Sequence, residues 1–448
     1  MAEKPFSQKQ TKQATMFGTY DFPSYEEIID AYSKEFANYI LPKGDTIFGF
    51  WMQTLADLEF LDLELQGLTD EYIIDPVNRT VNFKGDEEFV RIRVAHLEKV
   101  KGKTTLYTDF VDKFGDTNAY AFHNLYPYKG KFYPRVVRTL INAFKLNNKS
   151  LLLDPFNGSG TATHEASLMG IKSVGIDVTP MGIVLSELKN DLLFIKAHKI
   201  DFTITELQDI LESIESKKWH HPDPMIHKLM LVIYFDTIDA FIRTSRYNRK
   251  GKVGLFIEKL NYIKSCYTKT MEIKDKYGIK FESAKIIEGD VLELYNMTEM
   301  KEKFDACITS PPYYFSIDYV GKDKIAYDYL GVDMKKIESK YLGMKNSRPA
   351  GNYSGLPPKV AMYYEDLKES IKNIYRVLKP GGKLAIIIGD STVNGKKIPT
   401  TMTTKKFCEE IGFQFEKLIF NPLLGARNRA IRGESVIICH KSENGVVS

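Results

Sequence analysis

Cysteine is scarce in this chain. Its 448 residues contain four, Cys266, Cys307, Cys408 and Cys439, scattered, with no CxxC pair and no local Cys/His grouping. That spacing excludes a disulfide framework and a local zinc site, and it predicts buried, reduced thiols. Long apolar runs are missing too: none approaches the roughly 20 residues that cross a bilayer. The polar stretch Met1 to Lys12 lacks the apolar centre of a secretory signal. A cytoplasmic protein with no membrane association is therefore expected. The charge excess is small, +4, so net charge alone does not imply a polyanionic partner, and local clusters must carry any such case. There is no internal repeat and no low-complexity tract. What remains is an ordinary globular composition, 43% hydrophobic, long enough for two or three domains.

The chain is organised around Leu151-Leu152-Leu153-Asp154-Pro155-Phe156-Asn157-Gly158-Ser159-Gly160-Thr161. Three apolar residues end in an acid, followed by a glycine-bearing turn and a helix-forming run. This predicts a buried strand, a tight loop and a helix start. In an open α/β sheet such a loop lies at the carboxyl edge, where ligands bind. Gly158 and Gly160 allow close backbone approach, and the helix start offers free N–H groups. The GxGxxG spacing of a pyrophosphate loop is absent. By itself the stretch reads equally well as a plain βα turn. A second strand, Ser173 to Asp177, ends in another acid about twenty residues later, placed to meet a ribose diol. Ala284 to Asp290 and Phe304 to Thr309 read as further strands, the first closing on Asp290. Leu384 to Ile388 is a fifth, preceded by the helix Tyr364 to Leu378 and the stop turn Lys379 to Gly382. A final pair, Gln414 to Phe420 and Ser435 to His440, is too closely spaced for a helical crossover and should pair antiparallel. Alternating strands and helices predict a doubly wound, Rossmann-like α/β sheet.

Around this core, residues 1–120 form an N-terminal extension without a chemical motif. It is read as a flexible leader over about twenty residues, two or three helices from Ser24 to Leu65, and short strands from Tyr72 to Leu97, including an alternating strand through Val90, Ile92 and Val94. Residues 121–179 and 284–442 form the catalytic domain, and 180–283 a helical insert. Trp219 to Pro224 divides the insert. Its adjacent His220 and His221 point apart in either regular structure, so no metal site is predicted.

The other chemically loaded stretch is Thr309-Ser310-Pro311-Pro312-Tyr313-Tyr314. Pro311 and Pro312 stiffen the backbone and lack N–H donors, leaving carbonyls free. The Ser310 hydroxyl and a neighbouring carbonyl can accept both hydrogens of an exocyclic amino group. Tyr313 offers a face for a planar base. Asp154, Asp177, Asp290 and Ser310 each follow an apolar strand and face one sheet edge. The three acids suit a cationic amine, a ribose and an adenine amino group.

Together the two stretches, Asp-Pro-Phe-Asn-Gly-Ser-Gly-Thr and Thr-Ser-Pro-Pro-Tyr, resemble the amino-methyltransferases of DNA, over about residues 120–442. His123 to Pro134 and Asp318 to Gly331 are similar to the segments that flank these motifs. The resemblance implies a class I methyltransferase sheet and S-adenosylmethionine held by Phe132, Asp154, Phe156, Gly158, Gly160, Thr161, Asp177 and Asp290. It also implies catalysis by Ser310, Pro311, Pro312 and Tyr313. Double-stranded DNA would be the substrate, with a cognate restriction or defence nuclease as partner and no metal. In this family the Ser-Pro-Pro-Tyr form goes mainly with cytosine N4. Adenine N6, or an RNA amino group, is the alternative. A cytosine-C5 mechanism is excluded by the missing Pro-Cys nucleophile. Phosphate contacts are expected from Arg243, Arg246, Arg249 and Lys250 in the insert and from Arg427, Arg429 and Arg432 between the last two strands. The insert and residues 314–362 are the candidate base readers.

Overall fold

A computed structural model describes residues 44–243, 250–296, 298–312, 321–344, 356–393, 396–422 and 433–443. The N-terminal strands are β1 (Ile47–Phe48), β2 (Glu71–Asp75), β3 (Thr80–Lys84), β4 (Leu97–Val100) and β5 (Lys103–Thr104). Then follow β6 (Leu151–Asp154), β7 (Lys172–Asp177), β8 (Ala284–Glu288), β9 (Phe304–Thr309) and β10 (Leu378–Ile388). A small hairpin, β11 (Ser391–Val393) and β12 (Lys396–Ile398), precedes β13 (Phe413–Pro422) and β14 (Gly433–Lys441).

A seven-stranded sheet carries the order β13-β14-β10-β9-β6-β7-β8. Strands β6 to β10 are mutually parallel, and β14 lies antiparallel between β10 and β13. The final pair is therefore antiparallel, as its short connection requires. Chain order leaves β6 in opposite directions, toward β7 and β8 on one side and β9 and β10 on the other. The topological switch point falls between β6 and β9, where a doubly wound sheet opens a crevice at its carboxyl edge. The helices Pro134–Ala143, Thr161–Leu168, Pro180–Leu192, Pro358–Val377 and Thr400–Ile411 complete this unit. All four cysteines are buried free thiols, with Cys307 in β9 and Cys439 in β14. No helix among the described residues is long and apolar enough to cross a membrane.

The N-terminal unit holds a five-stranded sheet of order β2-β3-β1-β4-β5. Of the helices expected between Ser24 and Leu65, the part before Gly44 lies outside the described residues, and Leu55–Leu68 is helical behind a Thr54/Asp57 capping box. One expectation is corrected. Val90, Ile92 and Val94 do not form a strand; Glu87–Arg93 is a helix. The Asp86 side chain accepts from the Phe89 amide, Glu87 and Glu88 sit in the first turn, and Arg91 and Arg93 in the last. Cap and dipole complementarity outweigh a two-residue alternation that happens to run through a short helix.

This unit is fastened to the catalytic sheet by buried polar contacts. Glu64 accepts from the Ala95 amide and from Asn142 Nδ2 (2.7 Å). Arg93 donates to Asn142 Oδ1 (2.9 Å) and the Leu146 carbonyl (2.8 Å). Helix Pro180–Leu192 is the crossover from β7 toward β8, and its Asn190 side chain accepts from the Ala284 amide (2.8 Å). The helices Ile204–Glu215, Pro224–Arg243 and Gly251–Tyr277 are spliced in after it. They pack back on the N-terminal unit: Lys113 pairs with Glu272 at 2.6 Å, the Tyr277 hydroxyl donates to the Thr104 carbonyl, and Arg91 lies over the Tyr277 ring. Insert, N-terminal unit and the helices Thr161–Leu168 and Pro180–Leu192 thus share an apolar core.

Candidate active site

Strand β6 ends in Asp154, fully buried at the switch point. Its Oδ1 accepts from Thr309 Oγ1 at 2.6 Å and from the Phe156 amide at 3.2 Å, whereas the buried Oδ2 has no partner among the described residues. Burial pushes the Asp154 pKa up to about 7, against the pull of Thr309. A buried, unpaired carboxylate oxygen costs free energy unless a donor meets it. A cationic amine at this position would supply one. Thr309 is the last residue of β9 and precedes Ser310 directly. The acid of the first motif and the turn of the second therefore share one hydrogen bond across 155 residues of chain.

The glycine loop is locked from several sides. Gly158 and Gly160 adopt φ of +48° and +78°, which strain any other residue. Gly160 is the N-cap of helix Thr161–Leu168 and no side chain caps that helix, so the first N–H groups are without a side-chain acceptor. Asn157 accepts from Thr163 Oγ1 (2.9 Å). Asp177 Oδ2 accepts from the Gly158 amide (2.6 Å), and Oδ1 from both the amide and hydroxyl of Thr179. Burial raises the Asp177 pKa. The acid at the end of β7 thus also latches the loop, a role its sequence position does not reveal. Asp290 accepts from the Leu292 amide (2.9 Å).

A cleft with about 650 Å³ of open space runs along this edge. Phe156, Gly158, Asp177, Asp290, Ser310 and Pro312 all line it, so the structure brings both motifs and two strand-end acids to one cavity. Asp154 and Thr309 directly precede the lining residues Pro155 and Ser310. Pro311 is buried and Ser310 half-buried. Thr161 is buried at the helix start. Phe132 is placed elsewhere: it packs in an apolar cluster with Val136, Leu140 and Leu152. From the same segment Tyr128 and Gly130 reach the cleft instead. The Tyr128 ring stands against the glycine loop, 3.3 Å from where a Gly158 Cβ would sit. Burial, and after it Asp177, raises its pKa.

The strap carrying Tyr128 is held from below by Glu165. That buried acid accepts from the Tyr120 hydroxyl (2.7 Å) and Arg138 Nε (2.6 Å), with His123 Nε2 at 3.0 Å. Burial alone would raise the Glu165 pKa, but Arg138, His123 and Tyr120 outweigh it and lower it. Burial pushes the His123 pKa down to about 4. Local reading of the sequence missed this network because its members are separated by tens of residues. It also missed Lys340, Tyr341 and Leu342, which line the same cleft as Asp290. The only local hint was the run of aromatics from Tyr126 to Tyr133.

The basic clusters are divided. Lys250 pairs with Glu258 at 2.7 Å, and neighbouring Lys252 with Glu215 at 2.6 Å. Arg243 ends helix Pro224–Arg243. Arg246 and Arg249 lie outside the described residues, as do Tyr313, Arg427, Arg429 and Arg432, and the candidate readers Lys345 to Arg348, Asn352 and Tyr353. The strand directions fix the two strand ends on either side of the last cluster. Strand β13 runs parallel to β10, because each is antiparallel to β14. Pro422 and Gly433, which bracket residues 423–432, therefore sit at the carboxyl edge, on the same side as Asp154 and Ser310.

No family model matches the chain. Among curated proteins it is 21% identical over 434 residues to the Type II methyltransferase M.BsoBI of Geobacillus stearothermophilus, covering 73% of this chain and 85% of that one. The chain is similar to Type II methyltransferases. M.AvaI of a Nostoc species is 21% identical over 433 residues, covering 75% and 89%. M.MjaII of Methanocaldococcus jannaschii is 40% identical over a shorter stretch of 67 residues, 15% of this chain and 12% of that protein. Among solved structures, a SAM-dependent methyltransferase from Methanosarcina mazei is similar at 12% identity, with a TM-score of 0.31 over 68% of this chain and 97% of that one.

Proposed function

We propose that this chain is an S-adenosylmethionine-dependent DNA methyltransferase that modifies an exocyclic amino group, cytosine N4, in duplex DNA within a restriction-modification system. The observation that carries this reading is the Thr309–Asp154 hydrogen bond, which joins an amine-seeking carboxylate to the start of an amino-seeking turn. The residues fit the cofactor: Asp154 Oδ2 lacks a partner among the described residues, and the loop presses a glycine where a Cβ would approach the Tyr128 ring. Asp154 would take the methionine ammonium and the helix start its carboxylate. Asp177 and Asp290 would face the ribose and adenine. The cofactor, when bound, supplies an electrophilic methyl group.

Ser310 Oγ and a turn carbonyl accept the two hydrogens of the target amino group, which orients its lone pair toward the methyl donor and makes it more nucleophilic. Tyr313 stacks on the extruded base. Extrusion costs a few kcal/mol, which phosphate contacts around the edge offset. Labelled S-adenosylmethionine and duplex DNA of diverse sequence, followed by nucleoside analysis, should give N4-methylcytosine. N6-methyladenine would reassign the base, and label found only in RNA would overturn the reading.

Two further results are expected. Cofactor affinity should rise with pH through about 7, because Asp154 holds a proton below that value and the protonated acid cannot pair with an ammonium. Titration calorimetry at pH 6, 7 and 8 checks this, and a flat profile would remove Asp154 from the ammonium site. Replacing Arg427, Arg429 and Arg432 together with Ala should weaken duplex binding at least about tenfold. It should also flatten the salt dependence by two to three counterions, roughly one for each phosphate left unneutralised. Fluorescence anisotropy across a salt series reads both.

A further inference from the structure

The Ser310-Pro311 turn hangs between two anchors. At its start, Thr309 is bonded to Asp154. At its end, the Tyr363 hydroxyl donates to the Pro312 carbonyl at 3.0 Å. Tyr363 belongs to helix Pro358–Val377 and is 3% exposed. It is pressed by Gly343, whose Cβ, if present, would lie 2.9 Å from the Tyr363 Cβ and 3.0 Å from its Cα. Gly343 has φ +76°, and its amide donates to Asp366 Oδ2 at 2.7 Å, one turn further along the same helix. Gly343 directly follows Lys340, Tyr341 and Leu342, which line the cleft.

From this geometry we infer that Tyr363 is a positioning residue for methyl transfer: its hydroxyl fixes the Pro312 carbonyl and so holds the Ser310-Pro311 turn against the cofactor cleft, and Gly343 couples that hydroxyl to the cleft wall. The need is physical. Pro311 and Pro312 donate no backbone hydrogen bonds, so the turn cannot brace itself with their amides. A phenol on a packed helix supplies a rigid donor with only two side-chain torsions to freeze. Reacting atoms misplaced by an ångström lose rate steeply, while binding of a partner that touches other residues is spared. Tyr363 is not among the residues that line the cleft. It acts through the turn.

The inference rests on the proposed methyl transfer, and the experiment separates the two. Tyr363→Phe deletes one oxygen and keeps the ring. Its kcat on duplex DNA should fall about tenfold, the scale of one deleted hydrogen bond expressed mainly in the transition state. Its calorimetric Kd for S-adenosylmethionine should stay within about twofold of the parent. Hydrogen exchange at the Thr309 and Ser310 amides should accelerate. Gly343→Ala, which drives a methyl group into Tyr363, should lower kcat in the same direction. A parent protein that transfers no methyl group to DNA overturns the proposed function. An active parent with a Tyr363→Phe kcat within twofold, or with kcat and cofactor affinity falling in equal measure, overturns the positioning role alone.

Discussion

Asp154→Asn should abolish high-affinity cofactor binding, by at least about 100-fold, while making the ligand-free protein more heat-stable at pH 8. The two effects share one cause. Asp154 is fully buried, Oδ2 has no partner among the described residues, and burial raises its pKa from 3.8 to about 7. Between those values the folded protein retains a proton that the unfolded chain has released. The stability from this group is therefore complete at acid pH and is lost as pH rises through about 7. The shift corresponds to a burden on the order of 4 kcal/mol above that pH. Asparagine removes the charge, can still accept from Thr309, and should raise the melting temperature by a few degrees at pH 8 and by clearly less at pH 5. In the proposed arrangement removing the carboxylate also removes the partner of the ammonium, and a charge-assisted bond in a buried site is worth several kcal/mol. Calorimetric titration with S-adenosylmethionine and melting curves at the two pH values test both halves. An Asn variant that binds normally would show that the acid serves only the loop.

Ser310→Ala is expected to reduce kcat by at least about 100-fold, the usual scale for deleting one pre-organised polar group that acts in the transition state. Cofactor affinity should remain within about twofold, because in the proposed arrangement Asp154 meets the ammonium and the Ser310 hydroxyl meets the base. Half-buried Ser310 stands between two anchored neighbours, so losing its hydroxyl leaves the backbone path intact. Single-turnover methylation with saturating cofactor, read beside calorimetry, makes the distinction. Equal losses of affinity and rate would mean that the turn merely supports the cleft.

The strand-and-loop framework was legible in sequence because its determinants are local. Three leucines before Asp154, glycines where φ must be positive, and prolines after Ser310 encode their own conformations. The closing strand pair was legible for the same reason, since a short connection forbids a parallel crossover. Local patterns misled only where two of them competed. Around Val90 the alternation suggested a strand, but the Asp86 cap and the charge order of a short helix prevailed.

Sequence by itself thus determined the sheet class, the two motifs and the acids at the strand ends. Tertiary structure decided which groups meet. It put Thr309 on Asp154, gave Asp177 to the glycine loop, and sent Phe132 into the apolar layer and Tyr128 to the cleft. It set Tyr363 behind the turn and, through the antiparallel β14, brought Pro422 and Gly433 to the carboxyl edge. The reason is one of range. A strand, a cap or a glycine turn is fixed by residues a few positions apart, whereas a hydrogen bond between Thr309 and Asp154 exists only because the parallel sheet lays β9 beside β6, and no local pattern records which strands become neighbours.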